Sequence, residues 1–431
     1  MKTIEIIPGI LNGEIRIPPS KSISHRAIIC SGLCEGENTI KNVLLSQDIL
    51  DTCNALEALG INILYTKEDQ GETNTLTIRG NPNLRPIKNI IDCGESGSTL
   101  RFLIPLATLT KEKLTFKGRG RLVKRPLDPY FEIFKNQDIP YESNNKGLPL
   151  SVNGTLHPGI YKVPGDISSQ FITGLMLALP LLKGDSRIII TTPLESKGYI
   201  DLTLEMLKKF SIEVENEEYK EFYIRGNQKF KPVSYRVEGD FSQSAFWFAA
   251  GILGGKIRTT HLNINSLQGD KIIIDFIRKM AGNIIVEEQG VTTIASTTKG
   301  ITIDASQCPD LVPILAVLGA LTKGTTNIIN AQRLRIKESD RLWALASELN
   351  KLGGRVRELE DGLIIQGVDA LRGGVVDSWN DHRIAMALAI ASIKCTKPVI
   401  ITNSDAVKKS YPSFWQDFSR LGGRINERSM G

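Results

Sequence analysis

The chain has 431 residues, 41% of them hydrophobic and 23% charged, with 53 Lys and Arg against 47 Asp and Glu for a formal net charge of +6. That length exceeds one ordinary core and predicts two domains. That composition describes a globular chain with no disordered tail, and the small, interspersed positive excess suits acidic metabolites and does not by itself argue for nucleic acid. Met1 to Ile7 reads as a strand with no export signal. Apolar runs such as Phe171 to Leu182 fall short of the roughly 20 residues of a membrane span, so a soluble, cytoplasmic protein is expected. Six cysteines without a C-x-x-C pair are expected to be reduced and packed.

In chain order, a strand-like run ends six times in a small polar or acidic cluster that opens an apolar helix, at intervals of about 70 residues. The openings are Pro19-Ser20-Lys21-Ser22, Gly94-Glu95-Ser96-Gly97-Ser98, Gly165-Asp166-Ile167-Ser168-Ser169, Gly239-Asp240-Phe241-Ser242-Gln243, Ser306-Gln307-Cys308-Pro309-Asp310 and Trp379-Asn380-Asp381-His382. Each can cap a helix, and a helix start offers unpaired N–H groups and partial positive charge to an anion. A Gly-centred turn, a strand, an amphipathic helix and a further strand follow the apolar helices, as in Ser46 to Gly60 with Thr75 to Gly80. The alternation predicts α/β architecture. Six units divide into two domains of three: residues 1–19 with 240–431, and an inserted domain 20–239. Hinges fall near 20 and 240, and a ligand cleft is expected between the domains.

Lys21, Ser22 and Arg26 cluster at one helix start, where they can hold phosphate or carboxylate; a Ser cap with a solvated basic face is the plain alternative. Gly94 to Arg101 is a Gly/Ser nest that admits a ligand oxygen to the backbone, or a mere turn. Lys117 to Pro126 is the densest basic segment; its glycines suggest a loop, and Arg121 has the bidentate guanidinium suited to an oxyanion. Arg335 to Leu342 places Lys337 and Arg341 four apart on a helix, a spacing that an ordinary salt-bridged surface also shows. Asp310 heads an apolar helix as either an N-cap or a positioned base.

Taken together, Pro-Ser-Lys-Ser-Ile-Ser-His-Arg-Ala at 19–27, Arg-x-x-x-Arg-Pro at 121–126, Ser-Ser-Gln-Phe at 168–171, Ser-Lys-x-Tyr-Ile-Asp at 196–201, Pro-Asp at 309–310, Lys-Glu-Ser-Asp-Arg at 337–341 and Asn-Asp-His-Arg at 380–383 closely resemble the 3-phosphoshikimate 1-carboxyvinyltransferase (EPSP synthase) family, in order over nearly the whole chain. The resemblance implies a two-domain inverted α/β barrel, each domain built of three βαβαββ units. It implies transfer of the enolpyruvyl group of phosphoenolpyruvate to the 5-hydroxyl of shikimate 3-phosphate, on the route to aromatic amino acids. Nothing calls for a metal or cofactor, and because the internal repeats account for the fold without a partner chain, a monomer is expected. Carried over by motif, Lys21, Ser22, Arg26, Ser168, Ser169, Gln170, Ser196, Asp310 and Lys337 would contact shikimate 3-phosphate. Lys21, Gly97, Arg121, Gln170, Arg341, Arg383 and Lys409 would contact phosphoenolpyruvate. Asp310 would take the 5-hydroxyl proton, and Glu338 with Lys21 would manage the proton at the methylene carbon. No nucleic-acid or membrane partner is implied.

The pattern is broken in two places: Glu95, Ser96, Ser98 and Thr99 surround Gly97 where the family commonly reads Asn-Ala-Gly-Thr-Ala, and Arg333-Leu334 stands where Asn-Trp is common. The sister transferase acting on UDP-N-acetylglucosamine has a Lys-Asn pair near its start and a loop cysteine. This chain has Lys21-Ser22 and no Cys between Lys111 and Tyr130. A catalytically silent polyanion-binding module would reuse the helix starts but would not need Asp310 or Glu338.

Overall fold

In the computed structural model, which describes residues 2–68 and 72–429, all six openings lead into helices, and five are capped by the side chain that the sequence offers. Ser20, Ser96, Ser168, Asp240 and Asp381 accept from the N–H groups of Ile23, Thr99, Gln170, Gln243 and Arg383. Each satisfies one of the donors that a helix start leaves open. At the fifth opening no side chain caps the helix; Pro309 starts a 3-10 turn, Pro309–Leu311, that runs into it.

The helices are α1 (Lys21–Gly32), α2 (Gln47–Ala58), α3 (Gly97–Ala107), α4 (Asp128–Asn136), α5 (Ser169–Ala178), α6 (Lys197–Lys209), α7 (Phe241–Gly254), α8 (Ile273–Lys279), α9 (Val312–Ala320), α10 (Arg341–Lys351), α11 (His382–Ala391) and α12 (Phe414–Arg420). None is long and apolar enough to cross a membrane. The six that follow the openings are apolar nearly all round, and each is buried on all or nearly all of its faces.

Among the described residues there are six four-stranded sheets, and none closes on itself, so the expected barrel is an assembly of open sheets rather than a closed one. In each, a first strand runs parallel to a second, and the remaining two are antiparallel. In four of them the parallel pair is joined across a helix, as parallel pairing demands, and in the other two the parallel partners come from far apart in the sequence. The chain divides into two compact units, Met1–Pro18 with Glu238–Gly431, and Pro19–Val237. Two strands mark the passage between them. Gly13–Arg16, which leads into α1, pairs with Lys256–Thr260, whereas Ser234–Arg236, which leads into α7, pairs with Gly36–Val43. Each unit therefore completes its sheets with a strand from the far end of its own chain segment. The N-terminal strand Lys2–Ile7 likewise sits between Val399–Thr402 and Arg424–Ser429 and finishes the sixth sheet.

Each unit has its own apolar core, one centred on α7, α9 and α11, the other on α1, α3 and α5. All six cysteines are buried free thiols. With the hydrophobic faces consumed internally, the helix starts are left to carry polar chemistry.

Candidate active site

In the Pro19–Val237 unit, the starts of α1, α2, α3 and α5 gather the basic groups. Lys21, the first residue of α1, pairs through Nζ with Asp48 Oδ2 at 2.6 Å. Arg26 lies one turn on, 3% exposed. Its guanidinium donates to Ser22 O at 2.8 Å, Tyr199 O at 2.9 Å, Thr203 Oγ1 at 2.9 Å and Thr173 Oγ1 at 3.4 Å, and it sits over the Phe102 ring. Arg26 thus ties α1 to α5 and α6. Burial draws its pKa down to about 10, opposed by Tyr199 and Cys30.

On α3, Arg101 donates to Gln170 Oε1 at 2.8 Å and to Pro126 O at 3.2 Å, and Gln170 in turn donates to Ser98 Oγ at 2.9 Å. Gly97 faces Arg125: an added Cβ would lie 2.7 Å from Arg125 Nη1 and 3.4 Å from Gln170 Oε1. The absent side chain keeps two guanidinium groups close to the backbone at a helix start. Ser169 and Ser196 are buried nearby in sequence motifs, Ser196 with left-handed backbone at φ 56°. Arg121 is exposed, in the 3-10 turn Gly120–Lys124.

In the other unit, Arg341 is the hub. It is 1% exposed and meets three carboxylates: Nε to Asp381 Oδ2 at 2.8 Å, Nη1 to Asp310 Oδ1 at 2.9 Å and Nη2 to Glu338 Oε2 at 2.7 Å. Arg383 Nη2 reaches Asp310 Oδ2 at 3.0 Å, and Lys337 Nζ stands 3.9 Å from Asp310 Oδ1. Burial pushes the Asp310 carboxyl up, but Arg383, Lys337 and Arg341 outweigh it and hold the group well below the usual carboxylate range. Burial acts on Lys337 in the other sense. With Arg333 and Arg341 adding to it and Asp310 opposing, it draws the ammonium down to about 8. Asp270, buried behind Asp310 and accepting from Ser242 Oγ, is pushed up to about 6 by burial and by the charges of Asp310 and Asp240. Lys409 donates to Asn380 O at 2.6 Å, and Asn380 is held left-handed at φ 52°.

Two carboxylates set among clustered cations can move protons around a strongly anionic ligand, and a profile of the family described as EPSP synthase (3-phosphoshikimate 1-carboxyvinyltransferase) matches residues 7–418. The chain belongs to the EPSP synthase family. It is 60% identical, over 100% of both chains, to the 3-phosphoshikimate 1-carboxyvinyltransferase of Clostridium novyi (strain NT), and 55% identical, again over 100% of both, to that of Clostridium acetobutylicum. The solved EPSP synthase of Acinetobacter baumannii superposes with a TM-score of 0.81 at 25% identity, covering 100% of each chain.

Within this EPSP synthase fold the motif residues fall into two groups, one per unit, and two local expectations change. Lys337 is not on a helix: Gln332–Ile336 is a 3-10 turn, Lys337 is extended, and Asp340 caps a fresh helix that begins at Arg341. Lys337 therefore approaches Asp310 from a loop, freed from the four-residue spacing. Asp310 is no N-cap; its oxygens are taken by Arg341 and Arg383. Sequence reasoning missed Asp48, Asp381 and Asp270 as partners. Asp381 lies within a helix opening already singled out, so its place in a cap was visible while its distant cation was not; Asp48 lies in the first turn of α2, where an acidic residue is ordinary.

The two departures also find places. Arg333 is buried and donates to Ser306 O at 2.7 Å, bracing the turn before Asp310. Glu95 fills the space left by Gly120: an added Cβ there would lie 2.5 Å from Glu95 Oε2, at a φ of +59°. Gly120→Ala is therefore expected to lower stability by about 1–2 kcal/mol from the left-handed backbone alone, read from urea unfolding.

Proposed function

We propose that this chain transfers the enolpyruvyl group of phosphoenolpyruvate to the 5-hydroxyl of shikimate 3-phosphate, giving 5-enolpyruvylshikimate 3-phosphate and inorganic phosphate, as a cytoplasmic monomer. The observation that carries the reading is the clamp on Asp310, a half-buried carboxylate held by Arg341 and Arg383 beside Lys337 and Glu338. In the addition step Asp310 accepts the hydroxyl proton, the oxygen bonds to C2 of the enol, and Glu338 with Lys21 delivers a proton to C3. The product is a tetrahedral intermediate. In the elimination step C3 returns a proton to Glu338 with Lys21, the C2–O bond to phosphate breaks, and phosphate leaves with the proton that Asp310 had accepted.

We assign Ser22, Arg26, Ser168, Ser169, Gln170, Ser196 and Lys337 to shikimate 3-phosphate. Gly97, Arg121, Gln170, Arg341, Arg383 and Lys409 go to phosphoenolpyruvate, and Lys21 to both. Asp310 is a weak base while two guanidinium groups hold it. An anionic substrate that draws on Arg341 and Arg383 lessens their pull, so its arrival raises the Asp310 pKa toward the range a general base needs. Substrate binding and base activation are then one event.

Lys337 gives the pH dependence. With its pKa near 8 in the free enzyme, it loses its charge above that value, and kcat/KM for shikimate 3-phosphate falls on the alkaline side with an apparent pKa of about 8. Lys337→Arg, which keeps its charge, is expected to move that limb upward by more than one pH unit or abolish it. An alkaline limb unchanged in the Lys337→Arg enzyme would remove Lys337 from this role.

The primary test is phosphate release from phosphoenolpyruvate by the purified protein, in EDTA, with and without shikimate 3-phosphate. Release that depends on shikimate 3-phosphate is the expected result. Release only with UDP-N-acetylglucosamine would move the chain to the sister activity, and no release with either acceptor would leave a polyanion-binding protein.

A further inference from the structure

Beneath the starts of α1, α2 and α3 runs a buried chain of polar contacts that no step above uses. His25, 0% exposed, has Nδ1 2.7 Å from Thr52 Oγ1; Thr52 Oγ1 lies 2.6 Å from Thr99 Oγ1; and Thr99 Oγ1 donates to Ser96 Oγ at 2.7 Å. Ser96, 1% exposed, also accepts from the N–H of Thr99 at 3.2 Å as the cap of α3.

Each hydroxyl has one hydrogen, so the contacts fix the proton order. Thr99 gives its hydrogen to Ser96, so in the short Thr52–Thr99 contact Thr52 must be the donor. Were Thr52 instead to give its hydrogen to Asp48 O, 3.3 Å away, two oxygens at 2.6 Å would face each other with lone pairs alone. Thr52 must then accept from His25, which places a hydrogen on Nδ1. The ring lies on α1 with the cations Lys21 and Arg26, faces the edge of Phe102 on α3, and meets Thr52 on α2, whose Asp48 is paired to Lys21. Burial, then the charges of Lys21 and Arg26, hold the imidazole neutral. The reverse order would leave an imidazole N–H buried without an acceptor, the costlier defect.

In this order three hydrogens are spent inside the relay. The fourth, on Ser96, has no acceptor among the described residues and sits beside Gly97 at the start of α3. We propose that Ser96 donates this hydrogen to an oxyanion of phosphoenolpyruvate and that His25 is the positioning residue that orients it through Thr52 and Thr99. The assignment rests on the substrate reading given above and deepens it. It makes Ser96, one of the residues at which this chain departs from the common family pattern, a ligand contact of its own.

The test joins nitrogen NMR to steady-state kinetics. In protein labelled with ¹⁵N in its four histidines, with His25 assigned by its loss in His25→Asn, His25 is expected as the neutral Nδ1–H tautomer, unchanged from about pH 5.5 to 8.5. Ser96→Ala is expected to raise KM for phosphoenolpyruvate about ten-fold, the loss of one hydrogen bond to a charged group, with KM for shikimate 3-phosphate within about two-fold. His25→Leu gives the same selective rise, the double variant is no worse than the poorer single, and His25→Asn, which can still donate to Thr52, recovers most of it.

An Nε2–H tautomer, titration within that range, or an equal rise in both KM values would overturn the proposal. So would a His25→Asn variant as impaired as His25→Leu. The expected tautomer in a protein without turnover would refute the enzymatic reading and leave the relay standing.

Discussion

Asp310→Asn lowers kcat by about 10²- to 10⁴-fold and leaves the affinity for shikimate 3-phosphate within about three-fold, because it removes proton acceptance while keeping size and shape. The amide can still accept from one guanidinium, and Arg341 retains Asp381 and Glu338 as partners. Phosphate release measures the first quantity and calorimetry the second. Equal loss of binding and turnover would make Asp310 an organiser of the cationic cluster and not a base.

A stability signature accompanies it. The Asp310 carboxyl titrates below its unfolded value of about 4, so over that interval the folded state binds fewer protons than the unfolded one. Its contribution is present above about pH 4 and is lost as pH falls through the folded value. Asp310→Asn should therefore flatten the acid limb of stability and lower stability at neutral pH, so that the variant and the parent converge once Asp310 is protonated. This separates the charge of Asp310 from its shape.

What the sequence discloses about this site follows from the range of the forces involved. Caps are local. Ser20, Ser96, Ser168, Asp240 and Asp381 each bind a backbone N–H two or three residues on, so the helix starts, and the anion chemistry they imply, can be read from short words. The fifth opening fails that reading because Asp310 answers to Arg341 and Arg383, 31 and 73 residues away, and no local rule weighs a distant guanidinium against a cap. Lys337 fails for the opposite reason. Its spacing from Arg341 fits a helix, but Asp340 offers a better start and wins.

Sheet pairing is hidden for a similar cause. Gly13–Arg16 and Ser234–Arg236 look alike as strands ahead of a polar opening, yet each joins the sheet whose core it can complete, a choice made by tertiary packing. The α/β class and six repeats were legible because the apolar helices recur. The open form of each sheet was not, since alternation fixes a strand's faces but not its neighbours.

The same distant pairing predicts the second large effect. Arg341→Met should cost about 3–5 kcal/mol, because it strands buried carboxylates that were paired. Asp381 suffers most: it is 0% exposed and loses the contacts to Arg341 Nε at 2.8 Å and Nη2 at 3.3 Å. Burial opposes the charge of Arg341 itself, but Asp381, Glu338 and Asp310 together hold it above the usual arginine range, so the guanidinium is the counterion that lets three acids lie in one place. Arg341→Met/Asp381→Asn should recover about half of the loss, since Asn carries no buried charge and can still accept from the N–H of Arg383 through its one oxygen while its NH2 donates to Ser339 Oγ. Urea unfolding of the three proteins measures it. A single variant within about 1 kcal/mol of the parent, or a double variant that sums two independent losses, would mean that water already serves these carboxylates. Recovery of stability without recovery of turnover is the informative combination. Folding then needs only charge balance around Arg341, whereas the reaction needs the guanidinium at the atom where Asp310 and the substrate compete for it.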